Sequence, residues 1–136
     1  MNTYSVNDEN FINSSSYQNF IRENNAIGFL KIRAFAASQA IPISGLKVVI
    51  SKVIDNNNVI FFEGFTNESG VIERIALPVL RLDYNSIEAP IVTVYDITTT
   101  YIPDGVTRVY KVNMYDNIYV VQNINIVPDY GFRGGI

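Results

Sequence analysis

Acid–base or nucleophilic chemistry in this chain has to come from carboxylates, lysines, tyrosines and hydroxyls, because its 136 residues include no His and no Cys. Without histidine there is no Ser-His-Asp or Cys-His machinery, no zincin motif and no imidazole switch near neutral pH. Without cysteine there is no disulfide framework, zinc finger or iron–sulfur centre. The 13 Asp and Glu residues could still work in acid–base pairs, yet no two stand out by spacing or motif. The chain is therefore expected to be no enzyme and to use no cofactor. Oxygen-rich clusters at Asp55-Asn56-Asn57-Asn58 and Asp116-Asn117 offer calcium-type ligands. The first lacks the Gly and terminal Glu of an EF-hand loop, and Asx clusters favour turns, so no metal site is expected.

Binding chemistry is more open. Lys31, Arg33, Lys47 and Lys52 fall on two neighbouring alternating segments, as a local basic patch or, by strand alternation, as a solvated face. A net charge of −3 and a pI of about 4.8 argue against nucleic acid, which needs a cationic footprint. The 9 Tyr and 8 Phe raise sugar stacking, but Trp is absent and most aromatics lie within strand-like runs, where core packing is the default. The candidate interaction residues are Tyr84, Tyr101, Tyr119 and Tyr130, joined by the apolar island Tyr17, Phe20 and Ile21 near the N-terminus.

These residues must be positioned by a fold that the pattern makes plain. At 48% hydrophobic and 17% charged, with a mean hydropathy of +0.12, the chain is globular and of single-domain length. Residues 1–25 are Asn- and Ser-rich and form an arm, with Asn13-Ser14-Ser15-Ser16 able to cap a short helix over 17–23. From Gly28 onward, Leu30, Ile32 and Ala34 alternate with Lys31 and Arg33, and Leu46, Val48 and Ile50 alternate with Lys47, Val49 and Ser51. Further strands are expected over Val59–Phe62, from Val71 to Leu77 with a stop at Pro78, and over Ile91–Thr99. The last pair, Val109–Tyr115 and Ile118–Val127, reads as a tight hairpin at Asp116-Asn117. About seven strands with a turn every 8–12 residues specify an all-β sandwich over 26–128, followed by a Gly-rich tail over 129–136. Inward side chains should include Leu30, Ile32, Leu46, Val48, Ile50, Phe61, Ile75, Leu77, Tyr95, Ile97, Val112, Met114, Ile124 and Ile126.

Three stretches carry a family resemblance: Gly28-Phe-Leu-Lys-Ile-Arg33, Ile41-Pro-Ile-Ser-Gly-Leu-Lys-Val-Val-Ile50, and Thr66-Asn-Glu-Ser-Gly70 leading to Ile75-Ala-Leu-Pro78. Pro before a strand-opening Gly, then a Thr-Asn-x-x-Gly turn, resembles the carboxypeptidase-regulatory-like, prealbumin-like (transthyretin-like) sandwich. The leader Tyr17–Asn25 and the tail Val120–Pro128 resemble most closely the non-catalytic N-terminal region of clostridial spore cortex-lytic enzymes and related spore proteins. The resemblance spans roughly residues 17–128. It implies a seven-stranded Greek-key prealbumin-like sandwich with an N-terminal arm, and it carries no lytic activity, since no catalytic domain accompanies it.

Two chemistries of similar folds need residues that this chain lacks or places differently. The ending Tyr130-Gly-Phe-Arg-Gly-Gly-Ile136 echoes that of transthyretin-like 5-hydroxyisourate hydrolases, but those enzymes activate water with histidines. Collagen-adhesin B-type sandwiches make a Lys–Asn isopeptide bond beside a buried acid. Here Lys31 with Asn123 or Asn125 would be the pair, while the adhesin lysine and acid positions align near Ala34 and Thr99. Neither chemistry is expected.

Met1–Asn10 lacks the basic start and apolar stretch of a secretory signal, and no apolar run approaches the roughly 20 residues that span a bilayer. The expectation is a bacterial protein made without a signal peptide, located in a spore envelope or a virion-like particle, otherwise cytoplasmic. It would act as a non-enzymatic structural protein, joining a spore layer or phage-like tail through its arm and strand edges. Its expected partners are itself or other structural subunits, with no nucleic acid and no membrane. The alternative is a peptidoglycan- or carbohydrate-binding accessory domain beside a separate lytic enzyme.

Overall fold

The computed structural model describes residues 1–37, 40–82 and 92–127. Tyr84 and Tyr130, the tail 129–136 and the expected strand start at Ile91 lie outside the described residues. The described chain is mostly β. Strand β1 (Thr3–Ser5) and helices α1 (Glu9–Ile12) and α2 (Ser15–Glu23) form the arm. Strands β2 (Ala26–Ala36), β3 (Ile41–Pro42), β4 (Lys47–Ile54), β5 (Asn57–Phe65), β6 (Val71–Val79), β7 (Thr93–Tyr101), β8 (Val106–Met114) and β9 (Tyr119–Asn125) follow. Nine strands thus replace the seven expected; the two additional ones, β1 and β3, have three and two residues. No described helix is long and apolar enough to cross a membrane.

Two sheets result, one ordered β1-β5-β4-β7-β8 and the other built on β2, which pairs with β3, β6 and β9. Leu30, Ile32, Val48, Ile50, Leu77, Ile97, Met114 and Ile124 are at most 3% exposed between them. Each belongs to a period-two run, because alternate residues of a strand face one side of its sheet. Of the expected inward residues, Phe61 alone is only partly buried, packed against the core from its edge.

Two connections depart from expectation. Asp116-Asn117 does not close a hairpin, since β8 pairs antiparallel with β7 in one sheet while β9 runs parallel to β2 in the other. The turn crosses between sheets and is tied to the second: the Asn117 amide donates to the Ile27 carbonyl at 2.8 Å, and the Asp116 carboxylate accepts from the Leu82 amide at 3.0 Å. Nor does β6 stop at Pro78, which sits opposite Ile27. Because β6 pairs with β2 alone among the described strands, the missing proline N–H can face away from the ladder.

True hairpins join β4 to β5 and β7 to β8. The first turns on Asp55 and Asn56, both in the left-handed region (φ 47° and 64°), as a two-residue primed turn demands. This is the turn role of the Asx cluster. In the Thr66–Gly70 turn, the Asn67 side chain accepts from the Ser69 and Val71 amides at 2.9 and 3.0 Å. Gly70 has φ 76°, and a Cβ there would lie 2.4 Å from the Ala34 carbonyl oxygen.

Two consequences are testable. Val48→Asp or Ile97→Asp should abolish a cooperative thermal transition, since both sites are fully buried and an unpaired internal charge exceeds marginal stability; a soluble, cooperatively melting variant would contradict the face assignment. Gly70→Ala should lower stability by about 1–3 kcal/mol in denaturant titration, through the left-handed φ and the backbone contact together.

Candidate functional site

The arm folds onto its own sandwich. Ser14 caps α2 by accepting from the Tyr17 amide at 3.3 Å, one residue inside the Ser-rich stretch expected to do so. The helix then lays Tyr17, Phe20 and Ile21 against the body. Tyr4 stacks on Phe11 with centroids 4.7 Å apart, and Phe11 meets Tyr17 at 5.6 Å. Phe61 then contacts Tyr17 at 6.5 Å, Phe20 at 5.7 Å and Tyr95, edge-on, at 5.2 Å. A β-bulge sets Phe61 there: Ile50 pairs with Phe62 and Ser51 with Ile60, leaving Phe61 as the extra residue. Buried Asn24 ends α2, donating to the Phe20 carbonyl and accepting from the Thr93 hydroxyl, each at 2.9 Å.

The sequence-derived interaction residues are therefore dispersed. Tyr17, Phe20 and Ile21 contact their own sandwich, Tyr101 is half-buried in β7, and Tyr119 of β9 is 47% exposed. The four cations also separate, Lys31 and Arg33 lying on β2 and Lys47 and Lys52 on β4, in different sheets. They form no single patch. Lys31 pairs with Glu73 at 3.7 Å, and Arg33 donates to Asn123 at 3.1 Å. Lys31 and Asn123 are thus occupied at the surface rather than joined in a dry site. Ala34 and Thr99 are buried but carry no ionisable group. Among the described residues no cluster of three or more metal-type ligands occurs.

Two features do come together. One is a set of open strand edges. Among the described residues β8 pairs only with β7 and β9 only with β2, and these edges carry Val109 (64% exposed), Tyr119 and Val121. On the outer face, Phe29 stacks on Tyr119 at 6.2 Å and the Arg74 guanidinium lies 4.1 Å from the Phe29 ring centre. The Tyr119 hydroxyl donates to the Glu73 carbonyl.

The other feature is a cleft between α2 and the β4–β7 pair, centred on Lys52. Hollows of about 300, 340 and 200 Å³ are each lined by Lys52, two of them also by Phe20 and Glu23. The ammonium donates to the Val94 carbonyl at 2.8 Å and lies 5.7 Å from the Tyr95 ring centre. Burial lowers its pKa below the ordinary lysine value; Asp96 opposes this and Lys111 reinforces it. Burial, and then Tyr17, push the Tyr95 phenol far above the ordinary tyrosine range, and burial also raises Tyr17. Lys52, expected by strand alternation on a solvated face, is instead half-buried. A signal was there, since Lys52 keeps the inward phase of Leu46, Val48, Ile50 and Ile54.

Phe61→Ala should cost about 3 kcal/mol and free the arm, read as new proteolytic cleavage ahead of β2; an arm still protected would place its anchor elsewhere. Alkaline titration should destabilise the fold. Unfolded tyrosines lose their protons near pH ~10, whereas Tyr95 and Tyr17 keep theirs when folded, so stability falls as pH rises past that value. Tyr95 also donates its hydroxyl proton to the Pro78 carbonyl. Tyr95→Phe should flatten the alkaline fall in Tm while costing about 1 kcal/mol at neutral pH.

In comparisons with known proteins, no protein-family model and no curated protein matches the chain.

Proposed function

We propose that the chain is a non-enzymatic structural subunit, a prealbumin-like Greek-key sandwich of seven long strands that joins copies of itself into a bacterial layer or particle. The observation that carries this reading is the β8 edge, which among the described residues pairs only with β7 and carries Val109, 64% exposed. An open edge presents unpaired N–H and C=O groups, and a second strand satisfies them by β-augmentation. Native edges are usually blunted by charge, proline or a bulge. On β8 the outward residues Thr107, Val109, Lys111 and Asn113 include one cation, and it is engaged with Asp96. With the arm docked on its own body, association falls to the strand edges. The layer or particle in question would be a spore layer or a phage-like tail.

A second reading is favoured by one surface. The Phe29–Tyr119 pair with Arg74 over it, beside Lys31 and Arg33, joins aromatic faces to cations on a sheet exterior. Sugars stack on aromatic rings and anionic glycans pair with cations, so a peptidoglycan-binding accessory role fits that face.

Light scattering across a concentration series, with cryo-imaging of the products, tests the first reading. The purified chain should form discrete oligomers or filaments, and Val109→Lys should weaken association at least about tenfold by setting an added charge on the edge. A chain that stays monomeric at high concentration would refute self-assembly; co-sedimentation with purified cortex in low salt, lost in Arg74→Ala, would establish the second reading instead.

A further inference from the structure

The chain has four lysines, and three of them face a carboxylate. Lys31 pairs with Glu73 at 3.7 Å, Lys47 with Glu63 at 3.3 Å, and Lys111 with Asp96. Lys52 has no carboxylate within ion-pair distance among the described residues. Its ammonium instead meets a backbone carbonyl and an aromatic ring, a weaker hold on positive charge than a carboxylate gives. Strand phase places it with Ile50 and Ile54, both buried, so its stem is packed and its Nζ is held in one place. Three hollows adjoin that place, walled by Ser16, Asn19 and Glu23 of α2 on one side and by Val94 and Asp96 on the other.

We propose that Lys52 is a carbonyl-capturing amine, at which this chain forms a Schiff base with a small aldehyde entering the cleft between α2 and the β4–β7 pair. The neutral Nζ attacks the carbonyl carbon, and the C–N bond forms as the carbonyl π pair moves to oxygen. A proton passes from nitrogen to oxygen through solvent. The hydroxyl then takes up a second proton from solvent, the nitrogen lone pair forms the C=N bond as the C–O bond breaks, and water leaves; nitrogen returns its remaining proton to solvent, so an imine remains with nothing oxidised or reduced. Burial, which lowers the pKa of Lys52, also favours the neutral amine that the attack needs. The charged groups facing the cleft are Glu23 and Asp55 from α2 and the β4–β5 turn, and Asp96 and Lys111 from β7 and β8. Asp96 and Lys111 neutralise each other.

The test uses the full chain at neutral pH with limiting benzaldehyde, borohydride to reduce the imine to a stable secondary amine, and peptide mass mapping. Lys52 should carry at least about ten times the adduct of Lys31, Lys47 or Lys111, with the Met1 α-amine scored separately. In concentrated urea that preference should vanish, because it comes from the cleft. Lys52→Met should remove the dominant lysine adduct and leave a cooperative melt. Equal labelling of the four lysines in the folded chain, a preference that persists in urea, or an unchanged lysine adduct in Lys52→Met would each overturn the proposal.

Discussion

Phe61 is the side chain on which the arm depends. Its ring lies between α2 and Tyr95, touching Tyr17 and Phe20 on one side and the core on the other. The Phe61 ring and Ile54 lie toward α2 at that end of the five-stranded sheet, and burying such side chains is worth about 1.5–3 kcal/mol each. The N-terminal helices supply the covering layer. The bulge lets both Phe61 and Phe62 follow Ile60 before the ladder resumes opposite Ile50, and α2 covers the Phe61 ring through Tyr17 and Phe20.

The second constraint is connectivity. Most connections between long strands cross from one sheet to the other, leaving the β4–β5 and β7–β8 hairpins as local units. The parallel pairing of β2 with β9 joins the first long strand to the last. Such a pairing must close nearly the whole chain before it contributes, which favours slow, cooperative folding. The same arrangement leaves β8 and β9 at the sheet margins, where exposed apolar side chains accumulate. Edges and core thus follow from one topology, and the assembly reading rests on the edges alone.

Lys52 shows how the arm creates a chemical environment as well as stability. On a bare sheet its ammonium would reach water. With α2 in place it is half-buried, bonded to the Val94 carbonyl, and surrounded by hollows that open beside the helix. A charge in this position is costly unless well paired, and a carbonyl with a ring face offsets that cost only in part.

Much of the architecture was legible in the residues themselves. Period-two alternation named many of the buried strand residues, because a strand's side chains divide between oil and water, but Ile54, Val59 and Val79 joined the core without having been expected there. Asx pairs and Gly70 marked turns through their tolerance of positive φ, and Ser14 announced a helix start through its hydroxyl. Alternation is silent, however, about which strand lies beside which. Asp116-Asn117 reads as the same turn whether the chain reverses in one sheet or crosses to another, so only long-range packing decided that β9 pairs with β2. The fate of Tyr17, Phe20 and Ile21 was equally hidden, since an apolar island looks identical whether it meets its own body or a neighbour. So was the setting of Lys52: burial beside α2 and the bond to the Val94 carbonyl are properties of three elements brought together, and no single stretch of chain contains them.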